Sequence, residues 1–124
     1  GYSPAESVGV CNVLVELALA TGDSKYLEPL PKAFAWYKAI VMADGKRARL
    51  YEPGTGRPIY GRRDKAVIVY DRSEATDGYG WEGSWYPERA ERLYERIETD
   101  GLATVAAEEF QSELDAVRTG KVND

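Results

Sequence analysis

The sequence predicts a mainly α-helical fold that contains one small antiparallel β element. Apolar residues recur at three- and four-residue spacing in stretches toward both ends of the chain, which is the helical period. Between these stretches, residues 47–52 alternate in polarity, a turn rich in Gly and Pro follows, and the chain returns in further short strand-like stretches, which is the pattern of a small antiparallel element. With 124 residues, 44% hydrophobic and 30% charged, residues 1–124 form a single segment.

The first predicted helix begins after Ser3, a capping residue followed by Pro4 and by Glu6 of a capping box, and it stops at Gly22. Its body, residues 8–19, is apolar on nearly every face, so neighbours must surround it. We therefore expect a segment excised from a larger helical protein, which a glycine at position 1 also favours. Cys11 lies in the same run and is expected to be a buried small hydrophobe.

Two further helical stretches follow, a short one over residues 25–28 and a longer one over residues 32–42 that Gly45 ends. The inward face of the longer helix is predicted at Leu30, Phe34, Tyr37 and either Ile40 or Val41. Trp36 lies off this line and is expected to face a second neighbour.

The β element is predicted as strands over residues 47–52, 57–60 and 66–70, with a turn at residues 53–56. Alternation places Arg47, Arg49 and Tyr51 on one face of the first strand and Leu50 on the other. Residues 77–87, with three glycines and four large aromatic residues, form no regular element.

Two helices complete the chain. The first runs from Pro87 to about Thr99, with Leu93 and Ile97 as its apolar stripe, and Gly101 ends it. The last covers residues 103–118, and residues 119–124 are expected to fray. Its inward side is predicted at Ala106, Phe110, Leu114 and Val117.

The charge distribution favours an anionic ligand. The chain carries a net charge of −5, yet residues 46–72 hold eight basic and three acidic residues, a net +5. The remainder holds 8 basic and 18 acidic residues, a net −10, which makes nucleic acid an unfavourable partner. Arg49 and Arg63 could converge on one anion. The alternative is a solvated hairpin with internal ion pairs, such as Arg63 with Asp64 or Asp71.

Several classes of site are excluded or unsupported. The chain has no histidine, which removes Ser-His-Asp and Cys-His catalysis and ordinary zinc sites. No apolar run reaches the roughly 20 residues of a membrane helix, so we predict no membrane span. The acidic residues lack the spacing of a calcium loop. The aromatic residues Tyr79, Trp81, Trp85 and Tyr86 either stack on sugars or bases or plug a loop over the core.

The middle of the chain resembles the pectic acid lyases, polysaccharide lyase family ten. RLYEPGTGRPIYGRRD at residues 49–64 is similar to the family's ARFY, TNRPIF and GRDG signature, and GYGWEGSW at residues 78–85 to its GYAWYGTW. ESVGV at residues 6–10 and AFAWY at residues 33–37 resemble its ESVGI and AVAWF. These motifs stand in register over residues 1–86, and Arg62 and Lys65 depart from the pattern.

The resemblance implies the C-terminal portion of an α/α-toroid, in a secreted or periplasmic protein that cleaves polygalacturonate by β-elimination with calcium. Two substrate-binding arginines of the family, fourteen residues apart, fall on Arg49 and Arg63, which have the same separation. The family's catalytic arginine base and main calcium ligands lie upstream, so we assign no catalytic residue and no metal ligand here.

We therefore expect an acidic-polysaccharide-binding portion of a lyase, whose partners are an acidic oligo- or polysaccharide and the upstream part of its own parent. The expected substrate-binding residues are Arg49, Arg63, Arg57, Tyr51, Trp81 and Trp85. The alternatives are a non-catalytic module for anionic glycans and a structural or interaction domain.

Overall fold

The computed structural model describes residues 2–62, 67–75 and 80–120. This part of the chain is mainly helical with a small antiparallel β element, as the sequence predicts. In chain order the elements are α1 (Pro4–Thr21), a 3-10 turn (Ser24–Leu27), α2 (Leu30–Ala39), β1 (Arg47–Ala48), β2 (Leu50–Tyr51), β3 (Pro58–Arg62), β4 (Val67–Val69), a second 3-10 turn (Arg72–Glu74), β5 (Glu82–Gly83), α3 (Glu88–Asp100) and α4 (Leu102–Arg118).

Helix α1 has the predicted bounds but is buried on one face only. The Ser3 hydroxyl accepts a hydrogen bond from the Glu6 amide, and Gly22 ends the helix with φ +72°. The buried residues are Pro4, Cys11, Val15 and Ala18, whereas Val10 and Val13 on the opposite face are more than half exposed. Cys11 is buried as expected, and burial raises the pKa of its thiol. The described residues therefore do not enclose α1.

Helix α1 is also the one described helix that is long and apolar enough to cross a membrane. It has 18 residues and a mean hydropathy of 1.2, and 22% of that stretch is buried. Core helices of soluble proteins and signal sequences share this length and composition. The property therefore does not by itself place the chain in a membrane.

Helix α2 ends three residues earlier than predicted, because Met42 donates its amide to the carbonyl of Lys46 (2.8 Å) in a turn. Its predicted inward residues Leu30, Phe34 and Tyr37 are buried. Trp36 faces a second neighbour, as expected from its place off that line.

Two buried clusters form the core, and Trp36 packs against both. Its ring centroid lies 5.1 Å from that of Tyr37 in the larger cluster and 5.9 Å from that of Tyr51 in the smaller one. The larger cluster joins the four helices. The smaller cluster lies under the strands and consists of Ala48, Tyr51, Tyr60, Ala75 and Trp81.

The prediction of one continuous strand over residues 47–52 is wrong. β1 pairs with β5 (Arg47 with Gly83, Ala48 with Glu82), whereas β2 pairs with β3 (Leu50 with Ile59, Tyr51 with Pro58). The chain changes sheet at Arg49, whose amide donates to the carbonyl of Trp81 (2.6 Å). Pairing with β1 also makes residues 82–83 a strand, which the glycine-rich sequence did not predict.

The second sheet has the order β2-β3-β4 and is antiparallel throughout. The predicted turn joins β2 to β3, with Gly54 at φ +86° and Gly56 at φ +70°. Tyr2 pairs with Tyr51 on the free side of β2. This arrangement fixes where the arginines of the hairpin lie.

Helices α3 and α4 follow the predicted bounds closely, but the predicted inward face of α4 is wrong at Phe110 and Val117. These two residues are 62% and 63% exposed, whereas Ala106 and Leu114 are half-buried and the buried residue of α4 is Val105. Helix α3 buries Leu93 and Ile97 as predicted, together with Ala90. The predicted fraying falls largely on residues 121–124, which lie outside the described residues.

Candidate functional site

Arg49 stands where the chain passes from one sheet to the other, and the segment after residue 79 holds its side chain. Its Nε donates to the carbonyl oxygen of Gly80, and its guanidinium carbon lies 4.9 Å from the ring centroid of Trp85. A methyl group on Gly80 would come within 3.1 Å of the guanidinium. Backbone and side chain of Arg49 are therefore both fixed against the segment after residue 79.

Trp85 is half-buried and lies against the backbone of Gly83. A Cβ on Gly83 would meet ring atoms of Trp85 at 2.9 Å, so only glycine allows this approach without a shift. Because the ring also contacts Arg49, Trp85 supports the guanidinium of that arginine.

Tyr51 and Trp81, two of the expected ligand-contacting residues, lie in the smaller cluster instead of on an accessible surface. Tyr51 is 2% exposed, and its hydroxyl accepts from the Ala48 amide (2.8 Å) and donates to the Ile40 carbonyl (3.1 Å). Trp81 is 8% exposed and packs edge-on against Tyr60. Neither ring offers an open face for stacking on a sugar.

Arg57 is exposed and belongs to a second group on the outer side of the β2-β3-β4 sheet. Its guanidinium carbon lies 3.8 Å from the ring centroid of Tyr70. The Tyr70 hydroxyl donates to Glu52, and Thr55 donates to the same carboxylate (2.7 Å). These two hydrogen bonds, with the charge of Arg57, hold the pKa of Glu52 below its ordinary value, and the Glu52 bond raises the pKa of Tyr70. Arg57 and Arg49 therefore have different neighbours.

Arg47 does not share a surface with Arg49, contrary to the predicted alternation. It is 8% exposed, and its Nε donates to the carbonyl of Tyr37 (2.9 Å). Its guanidinium lies between two rings, 5.0 Å from the centroid of Tyr86 and 5.8 Å from that of Tyr37. Within residues 2–62, 67–75 and 80–120, no carboxylate forms an ion pair with it. Arg47 is a buried cation of the core.

Arg63, Asp64 and Tyr79 lie outside the described residues, so the expected convergence of Arg49 and Arg63 has no geometry here. Asp71 is described: it caps the second 3-10 turn by accepting from the Ser73 amide (2.9 Å). The Nε of Arg72 lies 3.9 Å from a carboxylate oxygen of Glu82.

Sequence reasoning missed Tyr70 as the partner of Arg57. The signal was present in the pattern, because Tyr70 follows β4 and Arg57 precedes β3, which pair in antiparallel fashion through Tyr60 and Val69. The missed part was the Glu52 carboxylate, which the β2-β3 turn brings to the Tyr70 hydroxyl.

Among the residues that the structure describes, no group of three or more acidic or Cys side chains could hold a metal ion. Arg49 lies against Trp85 and Arg57 against Tyr70, so each guanidinium contacts an aromatic ring in a separate group of side chains. Each of these guanidinium groups can bind an anion. No protein-family model matches this chain, and comparisons with curated proteins and with solved structures find no match either.

Proposed function

We propose that this chain is the acidic-saccharide-binding portion of a polysaccharide-lyase-like protein, and that Arg49 binds a uronate carboxylate. The observation that carries the proposal is the setting of Arg49, whose guanidinium is fixed by the Gly80 carbonyl and the Trp85 ring within a segment of net charge +5. A guanidinium donates paired hydrogen bonds to a carboxylate, and fixing it beforehand lowers the entropy lost on binding.

The charge around Arg49 supports this assignment. Residues 46–72 form the one strongly basic stretch of an otherwise acidic chain, so a polyanionic saccharide would meet an attractive potential mainly here. Arg57 adds a second exposed cation on the same hairpin, supported by Tyr70. A polymer with one carboxylate per sugar can contact cations at several points, whereas a single small anion cannot.

The wider setting in the proposal is the C-terminal part of an α/α-toroid. The exposed apolar faces of α1 and α4 favour additional helical neighbours, because apolar surface of this extent is normally covered. The proposal assigns binding only: cleavage by β-elimination, calcium and a secreted or periplasmic location come from the sequence resemblance.

The test is a titration of the folded chain with oligogalacturonate, followed by amide NMR shifts, with and without calcium. We expect Arg49→Ala to weaken binding by about tenfold or more, since a hydrogen bond to a charged group contributes about 1.5–3 kcal/mol. Arg49→Lys, which keeps the charge and loses the fork, should recover only part of the affinity. The Arg49→Ala/Arg63→Ala double variant extends the test to the second arginine.

Arg92→Ala is the matched control, because Arg92 is exposed on α3 and the change in net charge is the same. A neutral maltooligosaccharide and a single-stranded oligonucleotide serve as control ligands. Equal losses in Arg49→Ala and Arg92→Ala would show that only net charge matters and would overturn the site. Absence of uronate binding by a well-folded chain would favour the structural or interaction role.

A further inference from the structure

Helices α1 and α4 each leave apolar side chains uncovered. Val13 and Leu17 of α1 are 57% and 38% exposed, and Phe110 and Val117 of α4 are 62% and 63% exposed. On α4 these residues belong to an apolar stripe at helical spacing, so they are not isolated surface residues.

A groove of about 430 Å³ lies between these two helices. Its apolar lining is mostly small, which allows a third backbone to approach closely: Leu19 and Ala20 from α1, and Ala106, Ala107 and Phe110 from α4. The lining spans residues 16–20 of α1 and 106–113 of α4, about two turns of helix on the longer side. A groove of this length accepts the apolar side chains of a short stretch of amphipathic helix.

The charges around the groove decide which helix fits. All three charged residues that line it are glutamates, Glu16, Glu109 and Glu113. Glu16 pairs with Arg89 and Glu109 with Arg96, whereas Glu113 has no ion pair in the part of the chain that the structure describes. Residues 88–118, which include α3 and α4, hold nine carboxylates against four arginines, so the surroundings are also acidic.

We propose that this groove binds an amphipathic helix whose apolar face is flanked by Lys or Arg, supplied from outside residues 1–124. Phe110 provides the apolar contact within the groove, and Val117 continues the exposed apolar stripe of α4 beyond it. Glu113 provides the unpaired charge. A second copy of this chain fits less well, because a twofold pairing would place the same glutamates against each other. An anionic lipid surface would be repelled by the same carboxylates.

The experiment is a titration of the whole chain against three labelled peptides of about 18 residues, followed by fluorescence anisotropy. The first has Leu at helical i, i+3, i+4, i+7 spacing with Lys on both flanks. The second replaces each Lys by Glu, and the third keeps the composition of the first but scrambles the spacing. We expect the first peptide to bind at least about tenfold more tightly than the other two.

Variants locate the contact. Phe110→Ala and Val117→Ala should each lower the affinity for the first peptide by about fivefold or more. Glu113→Gln should lower that affinity by about two- to threefold and make it less dependent on salt. Ile68→Ala and Glu28→Gln are the matched controls, since Ile68 is 63% exposed on the sheet and Glu28 is exposed near α2. Circular dichroism verifies that each variant is folded.

Three results would overturn the proposal. One is equal binding of the Lys and Glu peptides, and another is equal loss in Phe110→Ala and Ile68→Ala. The third is that the wild-type chain forms a dimer, or binds phosphatidylglycerol vesicles, in a manner that Phe110→Ala abolishes. The groove proposal shares with the proposed function the additional helical neighbours of α1 and α4. Because the Arg49 site lies on other elements, failure here would remove those neighbours and leave saccharide binding at Arg49 to its own test.

Discussion

Tyr37 contributes to the structure through its burial, through two hydrogen bonds and through contacts of its ring. It is fully buried, its hydroxyl donates to the carbonyl of Pro4 (2.6 Å), and its own carbonyl accepts from Arg47 (2.9 Å). Its ring lies edge-on to Tyr86. Burial, with a smaller contribution from the Cys11 charge, raises the pKa of Tyr37 to about 12.

This shift predicts a loss of stability in alkali. An unfolded tyrosine titrates near pH 10, so between about pH 10 and 12 the folded chain holds a proton that the unfolded chain releases. The stabilisation is complete below about pH 10 and is lost as the pH rises through 12, by at most about 1.4 kcal/mol per pH unit for one proton. Urea unfolding at a series of pH values measures the slope.

Tyr37→Phe should flatten that slope, although it lowers the stability at pH 7 by about 1 kcal/mol through loss of the bond to Pro4. Tyr2→Phe is the control, because Tyr2 is exposed and its ring is not part of the core. If the free energy of unfolding of Tyr37→Phe falls with pH as steeply as that of the wild type, other buried tyrosines cause the loss of stability in alkali.

Arg47 and Arg49 show where residue-level prediction reached its limit. Both were expected on one face from alternation, but the alternation rule assumes that a strand stays within one sheet. Here the strand partners change after Ala48, so Arg47 enters the core between two tyrosine rings while Arg49 contacts Trp85. The two arginines differ because Arg47 and Ala48 pair with Gly83 and Glu82, which are distant in sequence.

At the scale of elements, the helices were predictable because their ends carry local signals. Ser3, Gly22 and Gly101 mark helix boundaries without any tertiary contact. Strand β5 was not predictable from the sequence, because its two residues lie in a loop rich in glycine and aromatic residues and form a strand only through pairing with β1. The buried face of α4 was misplaced for a related reason: its apolar stripe predicts a partner along its length, and the described residues cover only part of that stripe.

The junction between α3 and α4 gives a test of backbone conformation. Gly101 has φ +91° and ψ +149°, a region that L-residues with a side chain hardly adopt. We expect Gly101→Ala to lower the free energy of unfolding by about 1–3 kcal/mol. Chemical denaturation followed by circular dichroism measures the change.

Gly9 provides the contrasting substitution. It lies inside α1, and a Cβ there meets nothing within 4 Å. Gly9→Ala should therefore raise the stability by about 0.5–1 kcal/mol through helix propensity. Similar effects of both substitutions would contradict the conformational explanation.

At the scale of the whole molecule, the two core clusters meet at one side chain. Trp36 packs against the larger cluster, which joins the helices, through Tyr37, and against the smaller cluster, which lies under the strands, through Tyr51. Among the described residues, Trp36 is the one side chain that packs against both clusters, so its removal would take away a contact from each of them.

We expect Trp36→Ala to lower the stability by about 3 kcal/mol and to separate the unfolding of helices and sheet into two steps. Hydrogen exchange, which reads the amides of each element separately, measures the separation. Val41→Ala is the control, because Val41 is exposed next to α2. A single cooperative loss in Trp36→Ala would show that other contacts couple the clusters.

The position of Trp36 has an optical consequence. All three tryptophans, Trp36, Trp81 and Trp85, lie in or beside the β element and its cluster, and α3 and α4 contain none. Intrinsic tryptophan emission therefore reports mainly on the sheet and the Arg49 site, and it senses the last two helices only through the packing of Trp36 against the larger cluster. A ligand at Arg49, whose guanidinium lies over Trp85, should change the emission, whereas a helix bound in the α1–α4 groove should leave it unchanged.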